Sequence, residues 1–151
     1  PYQYRLRWDA VEYAPGELEV VAYRDGKEWA RARMPTAGAA AGLELTADRD
    51  RITADGRDLV YVTVRVTDAD GRTVPRAKHA ITFSVDGPGE LVATDNGDPT
   101  SFVPFPSPVR DAFNGYAIAI VRGVPGQPGE ITVRAASDGL AGADATITAA
   151  N

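Results

Sequence analysis

The sequence consists of short apolar runs of strand length, separated by turn dipeptides about every ten residues. In the clearest run, 59–67, alternate positions are valine and so point to one face of an extended chain. No amphipathic helix lies between these runs, which argues against a parallel α/β fold. The sequence therefore predicts an all-β protein with a two-sheet β-sandwich. Further strands of this sandwich are predicted at 43–47, 51–54, 80–85, 90–94, 116–122, 130–136 and 143–149.

A separate group of strands is predicted near the N-terminus. Alternating apolar residues predict strands at 4–9 and 17–22, and Asp25-Gly26 predicts a tight hairpin turn into a third strand at 28–34. Three strands form only part of a sandwich, and their apolar face needs a partner. We therefore expect the sequence to begin inside this first domain, with the large aromatic residues Trp8 and Trp29 packed against another domain.

The boundary between the two groups of strands is predicted in the segment 35–42. This segment consists of small, uncharged residues without hydrophobic periodicity, flanked by Pro35 and Gly42. The expected domains are 1–37, which holds only the C-terminal strands of a partial domain, and 38–151, which holds a complete sandwich.

The stretch 95–115 stands out because turn residues and prolines replace the strand pattern. Asp95-Asn96-Gly97-Asp98-Pro99 predicts a rigid turn capped by side-chain oxygens. Alternate prolines then exclude a central strand, because proline has no ladder N–H group, so an extended loop held by its aromatic side chains is expected at 100–110. A second turn at Asn114-Gly115 leads into the apolar run 116–122, which predicts a central strand covered on both faces. Phe113 is expected in the core, and Asn114 is expected to satisfy backbone groups.

Composition and charge exclude several classes of function. The net charge is −5 and no basic run occurs, which argues against nucleic acid and anionic membrane surfaces as partners. No apolar stretch reaches the 18 residues of a spanning helix. With no cysteine and one histidine, His79, neither a histidine-based metal site nor a serine triad can form within the chain, so no metal or cofactor is expected. Asp68-Ala69-Asp70-Gly71 resembles the start of a calcium loop, but the twelfth position is His79 instead of glutamate, so a hairpin turn is favoured.

Two motifs in the same order carry a resemblance to a known family. Asp95-Asn96-Gly97-Asp98-Pro99-Thr100-Ser101 with Ala112-Phe113-Asn114-Gly115 resembles the C-terminal immunoglobulin-like domain of family 2 glycoside hydrolases of the β-galactosidase type. The residues Leu6-Arg7-Trp8-Asp9 and Tyr13-Ala14-Pro15-Gly16-Glu17-Leu18 are similar to the end of the immunoglobulin-like domain that precedes it. The resemblance implies an immunoglobulin-like fold for both domains. One departure is Phe102, where relatives often carry a polar residue, commonly histidine.

The resemblance also implies a role without catalysis. In that family the acid and nucleophile glutamates lie on a (β/α)8 barrel, which this chain does not contain, so no catalytic residue is assigned. The expected role is an accessory domain that stabilises the parent enzyme, shapes the mouth of its active site or mediates self-association. Its partners would be the other domains of the parent glycosidase and, in a homo-oligomer, a second copy. A periplasmic or secreted location is favoured by the resemblance.

Two other functions are compatible with the sequence. A carbohydrate-binding module would use exposed aromatic rings and carboxylates, whereas an adhesin-type spacer is suggested by Ala54-Asp55-Gly56 and 67–75, which resemble bacterial immunoglobulin-like repeats. For Asp95 and Asp98, capping of the loop is favoured over contact with a ligand or an interface, and a glycosidase acid–base pair is disfavoured because both lie on one turn. The candidate ligand or interface residues are Asp95, Asn96, Asp98, Phe102, Phe105 and Asn114.

Overall fold

The computed structural model describes residues 7–151, and the chain divides into two compact units, Pro1–Thr36 and Ala37–Asn151. All regular elements of the described residues are strands. The strands are β1 (Glu17–Arg24), β2 (Lys27–Pro35), β3 (Gly42–Ala47), β4 (Arg51–Thr53), β5 (Leu59–Thr67), β6 (Ala80–Asp86), β7 (Gly89–Asp95), β8 (Val109–Asp111), β9 (Tyr116–Gly123), β10 (Gly129–Ala136) and β11 (Ala143–Ala150). The described residues contain no helix long and apolar enough to cross a membrane.

The first unit contains the antiparallel hairpin β1–β2. Its turn residues Asp25 and Gly26 both have positive φ, 51° and 73°, as the favoured two-residue hairpin turn requires. The predicted hairpin is therefore confirmed. Half of the strand predicted at 4–9, residues 4–6, lies outside the described residues, and residues 7–9 are not part of a strand.

The second unit is a two-sheet sandwich, as the strand pattern predicts. One sheet has the order β4-β11-β10-β6-β8 and the other has the order β3-β5-β9-β7. All neighbours are antiparallel except β4 and β11. The short strand β8 was not predicted, because it follows three prolines. It pairs with the first residues of β6 at the sheet edge, where strands with proline neighbours are tolerated.

The core lies between the two sheets and is built from alternate residues of each strand. In β5 the inward valines are completely buried, and Ile81, Ile131 and Ile147 of the other sheet are equally inaccessible. In β9, however, only the alternate residues Ala117, Ala119, Val121 and Gly123 are buried. The intervening residues of β9 are partly exposed, so the expectation that this strand is covered on both faces was wrong for the described structure.

The turn after β5 attaches the N-terminal end of this unit to the sandwich. The buried carboxylate of Asp68 accepts hydrogen bonds from the N–H groups of Gly38 at 2.8 Å, Arg72 at 2.9 Å and Asp70 at 3.0 Å. The Gly38 N–H group, followed by that of Arg72, lowers the pKa of Asp68. Asp68 therefore stabilises a turn and the start of the unit.

A buried isoleucine of one sheet and a partly exposed isoleucine of the other allow a matched test of the core. Ile131→Ala should destabilise the protein by about 2–5 kcal/mol, because it leaves a cavity at a site with no solvent access. Ile118→Ala, on the half-exposed outer face of β9, should cost about 1 kcal/mol. Urea denaturation of both variants measures the difference, and equal losses would contradict the assigned core.

Protonation of Asp68 should make the stability of the protein depend on pH in the acid range. Because its pKa is lowered by folding, Asp68 stabilises the protein fully above its unfolded pKa of about 3.9, and this stabilisation is lost as the pH falls through the lower folded value. Asp68→Asn should therefore lower the Tm at pH 7 and flatten its decline below about pH 4. Asp138→Asn, at an exposed turn, is the control and should keep the wild-type profile. Parallel profiles for wild type and Asp68→Asn would disprove this role.

Candidate functional site

The candidate residues Asp95, Asn96 and Asp98 lie together on the turn that follows β7. Asp95 Oδ1 accepts the N–H group of Asn96 at 2.7 Å, and Asn96 Oδ1 accepts that of Asp98 at 2.9 Å. Asp98 Oδ1 accepts both the N–H group of Thr100 at 2.9 Å and its hydroxyl at 2.7 Å. These side chains are half-buried and bind the backbone of their own turn.

The electrostatics of this turn favour the ionised form of the Asp98 carboxylate, which acts as a hydrogen-bond acceptor. The backbone N–H group of Thr100, its hydroxyl and the charge of Lys78 lower the pKa of Asp98. A general acid needs the opposite, a carboxyl group whose pKa is raised. Asp98 therefore lacks the raised pKa that a general acid requires. Within residues 7–151 no group of three or more histidine, cysteine or acidic side chains could hold a metal ion.

Residues 96–108, between β7 and β8, form a segment that we call the aromatic loop. Phe102 and Phe105 project from it with 98% and 62% of their surfaces exposed, and Val103 is also exposed. The expectation that the loop is held by its aromatic side chains was therefore wrong. Its prolines cannot donate ladder hydrogen bonds, so the loop needs another source of donors for its carbonyl groups.

Arg110 of β8 is that source, and the sequence interpretation missed it. Its side chain is only 2% exposed and lies beneath the aromatic loop. The guanidinium donates to the carbonyl oxygens of Val103 at 2.9 Å and Pro104 at 2.9 Å, and it also donates to Ser101 Oγ at 3.4 Å. On the other side it donates to the carbonyl oxygen of Thr94 at 2.8 Å and to its hydroxyl at 3.2 Å.

The Arg110 contacts join the aromatic loop to the end of β7. Thr94 is completely buried, its hydroxyl donates to the Ser107 carbonyl at 2.7 Å, and its N–H group donates to the Phe105 carbonyl at 2.7 Å. A buried cation is costly unless its donors are satisfied, and here five hydrogen bonds satisfy them. A signal for Arg110 exists in the sequence: it is the one positively charged residue of 96–113.

The second turn differs from what was expected for Phe113 and Asn114. Phe113 is half-buried, while the neighbouring Ala112 lies in the core. Asn114 is exposed and has a φ of 52°, so it contributes turn geometry through its backbone. The predicted bonding to backbone groups is made instead by Asn96, whose Nδ2 donates to the Asp111 carbonyl at 2.9 Å. Asn114 is thus on a different turn from the other candidates.

Gly115 fixes the position of this second turn against the sandwich. It has a φ of 82°, and a Cβ atom at this position would lie 2.5 Å from the carbonyl oxygen of Val74. Its N–H group donates to the Ala77 carbonyl at 3.2 Å, and its own carbonyl accepts from Val66 at 2.8 Å. Only glycine fits both the conformation and the close approach.

A polar cleft of about 320 Å³ lies at the ends of β6 and β10, where His79 and Asp138 are among its lining residues. Nδ1 of His79 is buried and has no hydrogen-bond partner among the described residues. A catalytic histidine needs an orienting partner on that nitrogen, so this cleft lacks the arrangement of a serine triad.

The N-terminal aromatic residues are exposed in the described structure. Trp8 is 62% and Trp29 is 70% exposed among the described residues, and their packing against another domain stays a prediction.

Two family models match different parts of the sequence. The model described as glycoside hydrolase family 2 C-terminal domain 5 matches residues 43–146, and a domain of unknown function, DUF4982, matches residues 1–30. The first match contains the Asp95 turn, the aromatic loop and Arg110.

Curated relatives with similar sequences are much longer enzymes. A β-galactosidase of Bacteroides ovatus, BoGH2A, is 39% identical over 130 residues, which cover 86% of this chain and 15% of that protein. A β-glucuronidase of Formosa agariphila is 31% identical over 87 residues, which cover 56% of this chain and 9% of that protein. The chain therefore spans less than a fifth of the length of either relative.

Solved structures show the same relation. A glycosyl hydrolase family 2 member from Bacteroides cellulosilyticus superposes with a TM-score of 0.88 at 33% identity, covering 93% of this chain and 18% of that chain. A fragment of intimin shares the fold alone, with a TM-score of 0.51 at 23% identity over 72% of this chain and 33% of that chain. Since a single family model matches more than half of the sequence, the chain belongs to the glycoside hydrolase family 2 C-terminal domain 5 family.

Proposed function

We propose that this chain is a non-catalytic accessory part of a β-galactosidase-like family 2 glycoside hydrolase, and that its aromatic loop contacts another domain of the enzyme beside the active site. The observation that carries the proposal is an exposed aromatic pair, Phe102 and Phe105, on a loop whose backbone is fixed by the buried Arg110. Rings that are exposed on an ordered segment are typical of contact surfaces, because little conformational entropy is lost when they are covered.

The family relation supports the first half of this proposal. The similar proteins are β-galactosidase and β-glucuronidase, and they are far longer than this chain. The reaction proposed for the parent protein is hydrolysis of terminal β-galactosides or related β-glycosides. Catalytic carboxylates would then belong to another part of that protein, and this chain would position its loop near them.

Carbohydrate binding is the second candidate, because the same exposed rings could stack on sugars. Against it, Asp95 and Asp98 already accept hydrogen bonds from their own turn, which reduces the polar groups available to orient a sugar. A binding module also needs its rings free in the intact enzyme, whereas the domain-contact proposal requires them to be covered.

Replacement of both rings separates these two functions. Phe102→Ala with Phe105→Ala in the full-length enzyme should raise the KM for an aryl β-galactoside several-fold, because the loop no longer holds its contact, while the Tm of residues 1–151 stays within about 2 °C, since both rings are exposed. Val103→Ala is the control, because Val103 is exposed on the same loop but has no aromatic ring, and it should leave the KM unchanged.

Titration of isotopically labelled residues 1–151 with galactosides, galactan and xylan tests carbohydrate binding directly. We expect no amide shifts in the aromatic loop. Shifts confined to this loop, with unchanged enzyme kinetics in the double variant, would replace the domain-contact function with carbohydrate binding.

The role of Arg110 is tested by removing its donors. Arg110→Met should destabilise residues 1–151 by about 1–3 kcal/mol, because the buried carbonyl oxygen of Thr94 and the partly buried carbonyl oxygens of Val103 and Pro104 lose their partner. Arg110→Lys should lose less stability than Arg110→Met, because lysine keeps a charged donor group although it lacks the planar guanidinium.

Arg122→Met is the matched control for Arg110, because Arg122 pairs with Glu90 at 2.7 Å on the surface and should contribute about 0–1 kcal/mol. Urea denaturation gives the stabilities, and hydrogen exchange of the loop amides should rise in Arg110→Met alone. If the Arg110 and Arg122 variants lose equal stability and the loop exchanges no faster, the loop does not depend on Arg110.

A further inference from the structure

The polar cleft at the ends of β6 and β10 forms where two small side chains face each other. Ile81 points into the core, so its neighbours Ala80 and Thr82 lie on the outer face of the five-stranded sheet. Thr82 pairs across the strands with Ala136. The alanine methyl groups leave an open space between the strand ends. The complete lining is His79, Ala80, Thr82, Ala136, Ser137 and Asp138.

The polar side chains of this cleft have no partners of their own. Within residues 7–151, no side-chain hydrogen bond or ion pair is formed by the four polar lining residues, which are His79, Thr82, Ser137 and Asp138. The Asp95 turn differs, because Asp95 and Asp98 already accept N–H groups of their own backbone. The cleft is therefore the place where polar groups remain available to orient a ligand.

The buried nitrogen of His79 determines which edge of the ring can act in the cleft. Nδ1 is buried without a partner among the described residues, whereas Nε2 is not buried. A hydrogen on Nδ1 would be a buried donor without an acceptor, which is rarer in proteins than a buried acceptor without a donor. The neutral ring therefore carries its hydrogen on Nε2, and His79 presents an N–H donor at its accessible edge.

The chemistry of the lining favours a neutral ligand with several hydroxyl groups. The Nε2–H group of His79 donates, the Asp138 carboxylate accepts, and the hydroxyls of Thr82 and Ser137 can do both. Among the described residues, no lysine or arginine lines the cleft, and the charge of Asp138 disfavours an anion. No aromatic side chain lines it either, so a flat apolar ligand would find no matching wall.

The size of the cleft limits the ligand to about one ring. Its volume of about 320 Å³ lies at the lower end of the roughly 300–1,000 Å³ that small-molecule sites occupy. We propose that the polar cleft binds a cyclic polyol, such as a single sugar ring, through Asp138 as acceptor for two neighbouring ligand hydroxyls and His79 Nε2 as donor to another ligand oxygen. All lining residues belong to the described sandwich, so binding requires no other part of a longer polypeptide.

Titration of isotopically labelled residues 1–151 tests this site. Methyl β-galactoside, methyl β-glucoside and myo-inositol are the probes, and glycerol is the acyclic control. The amide shifts of residues 79–82 and 136–138 should saturate, with a Kd on the order of 1–10 mM for the best probe, because few contacts hold a small ligand. Glycerol should bind at least ten-fold more weakly, since its hydroxyls are not fixed by a ring. Saturation by the two glycosides alone would identify a sugar ring, and equal saturation by myo-inositol would identify cyclic polyols in general.

Two aspartates provide a matched pair of variants. Asp138→Asn should weaken binding at least ten-fold, because it removes the charge and one acceptor oxygen from the cleft. Asp144→Asn is the control, since Asp144 is exposed on β11 outside the cleft, and it should leave the Kd unchanged. Both variants should keep the Tm within about 2 °C, because both carboxylates are exposed.

A second pair tests the hydroxyl groups. Thr82→Val keeps the shape of the side chain and should weaken binding about three-fold to ten-fold, because one hydrogen bond is lost. Thr146→Val makes the same change at an exposed position of β11 outside the cleft and should have no effect.

Three results would overturn the proposal. The first is the lack of saturating shifts at residues 79–82 and 136–138 with every cyclic probe. The second is a set of shifts confined to the aromatic loop, which would place carbohydrate binding there. The third is an equal loss of affinity in Asp138→Asn and Asp144→Asn. None of these results depends on glycoside hydrolysis or on the contact proposed for the aromatic loop, which the kinetics of the double phenylalanine variant test separately.

Discussion

The apolar layer between the two sheets is the interaction on which the rest of the described sandwich depends. The alternate valines of β5 and the isoleucines of β6, β10 and β11 meet in it without solvent access. Burial of this layer fixes the register of each strand, because a shift by one residue would turn every core side chain to the surface. This register also fixes the last residues of β7, which lead into the Asp95 turn, and the first residues of β9, which follow the Asn114-Gly115 turn.

Arg110 extends this rigid framework into a segment that has no strand pairing of its own. The prolines of the aromatic loop remove backbone donors, and the buried guanidinium supplies donors to the loop carbonyls from below. Because the core residues of β6 position β8, the loop conformation depends on the sandwich and not on the exposed rings. Phe102 and Phe105 are consequently available for contact, which is the property that the proposed function uses.

The two units differ in how much apolar surface their described residues bury. Residues 37–151 bury a continuous core, whereas the hairpin of the first unit has a charged side, where Glu19 pairs with Arg33, and an exposed apolar face that carries Leu18 and Met34. Both the aromatic loop and the hairpin present apolar groups on an ordered backbone. The proposed function assigns the aromatic loop to contact between segments of one longer polypeptide, where the partner is held at high effective concentration.

The sequence by itself determined strands β1 to β7 and β9 to β11, the hairpin turn at Asp25-Gly26 and the two-sheet architecture, because alternation with period two and turn residues act locally. It also placed Asp95, Asn96 and Asp98 on one turn. Only the tertiary structure decided that Arg110 lies under the aromatic loop, that the rings of this loop point outward, and that Asn96 bonds the Asp111 carbonyl. These contacts join residues whose proximity is created by the pairing of β6 with β8 and of β7 with β9, and no local pattern encodes such pairing.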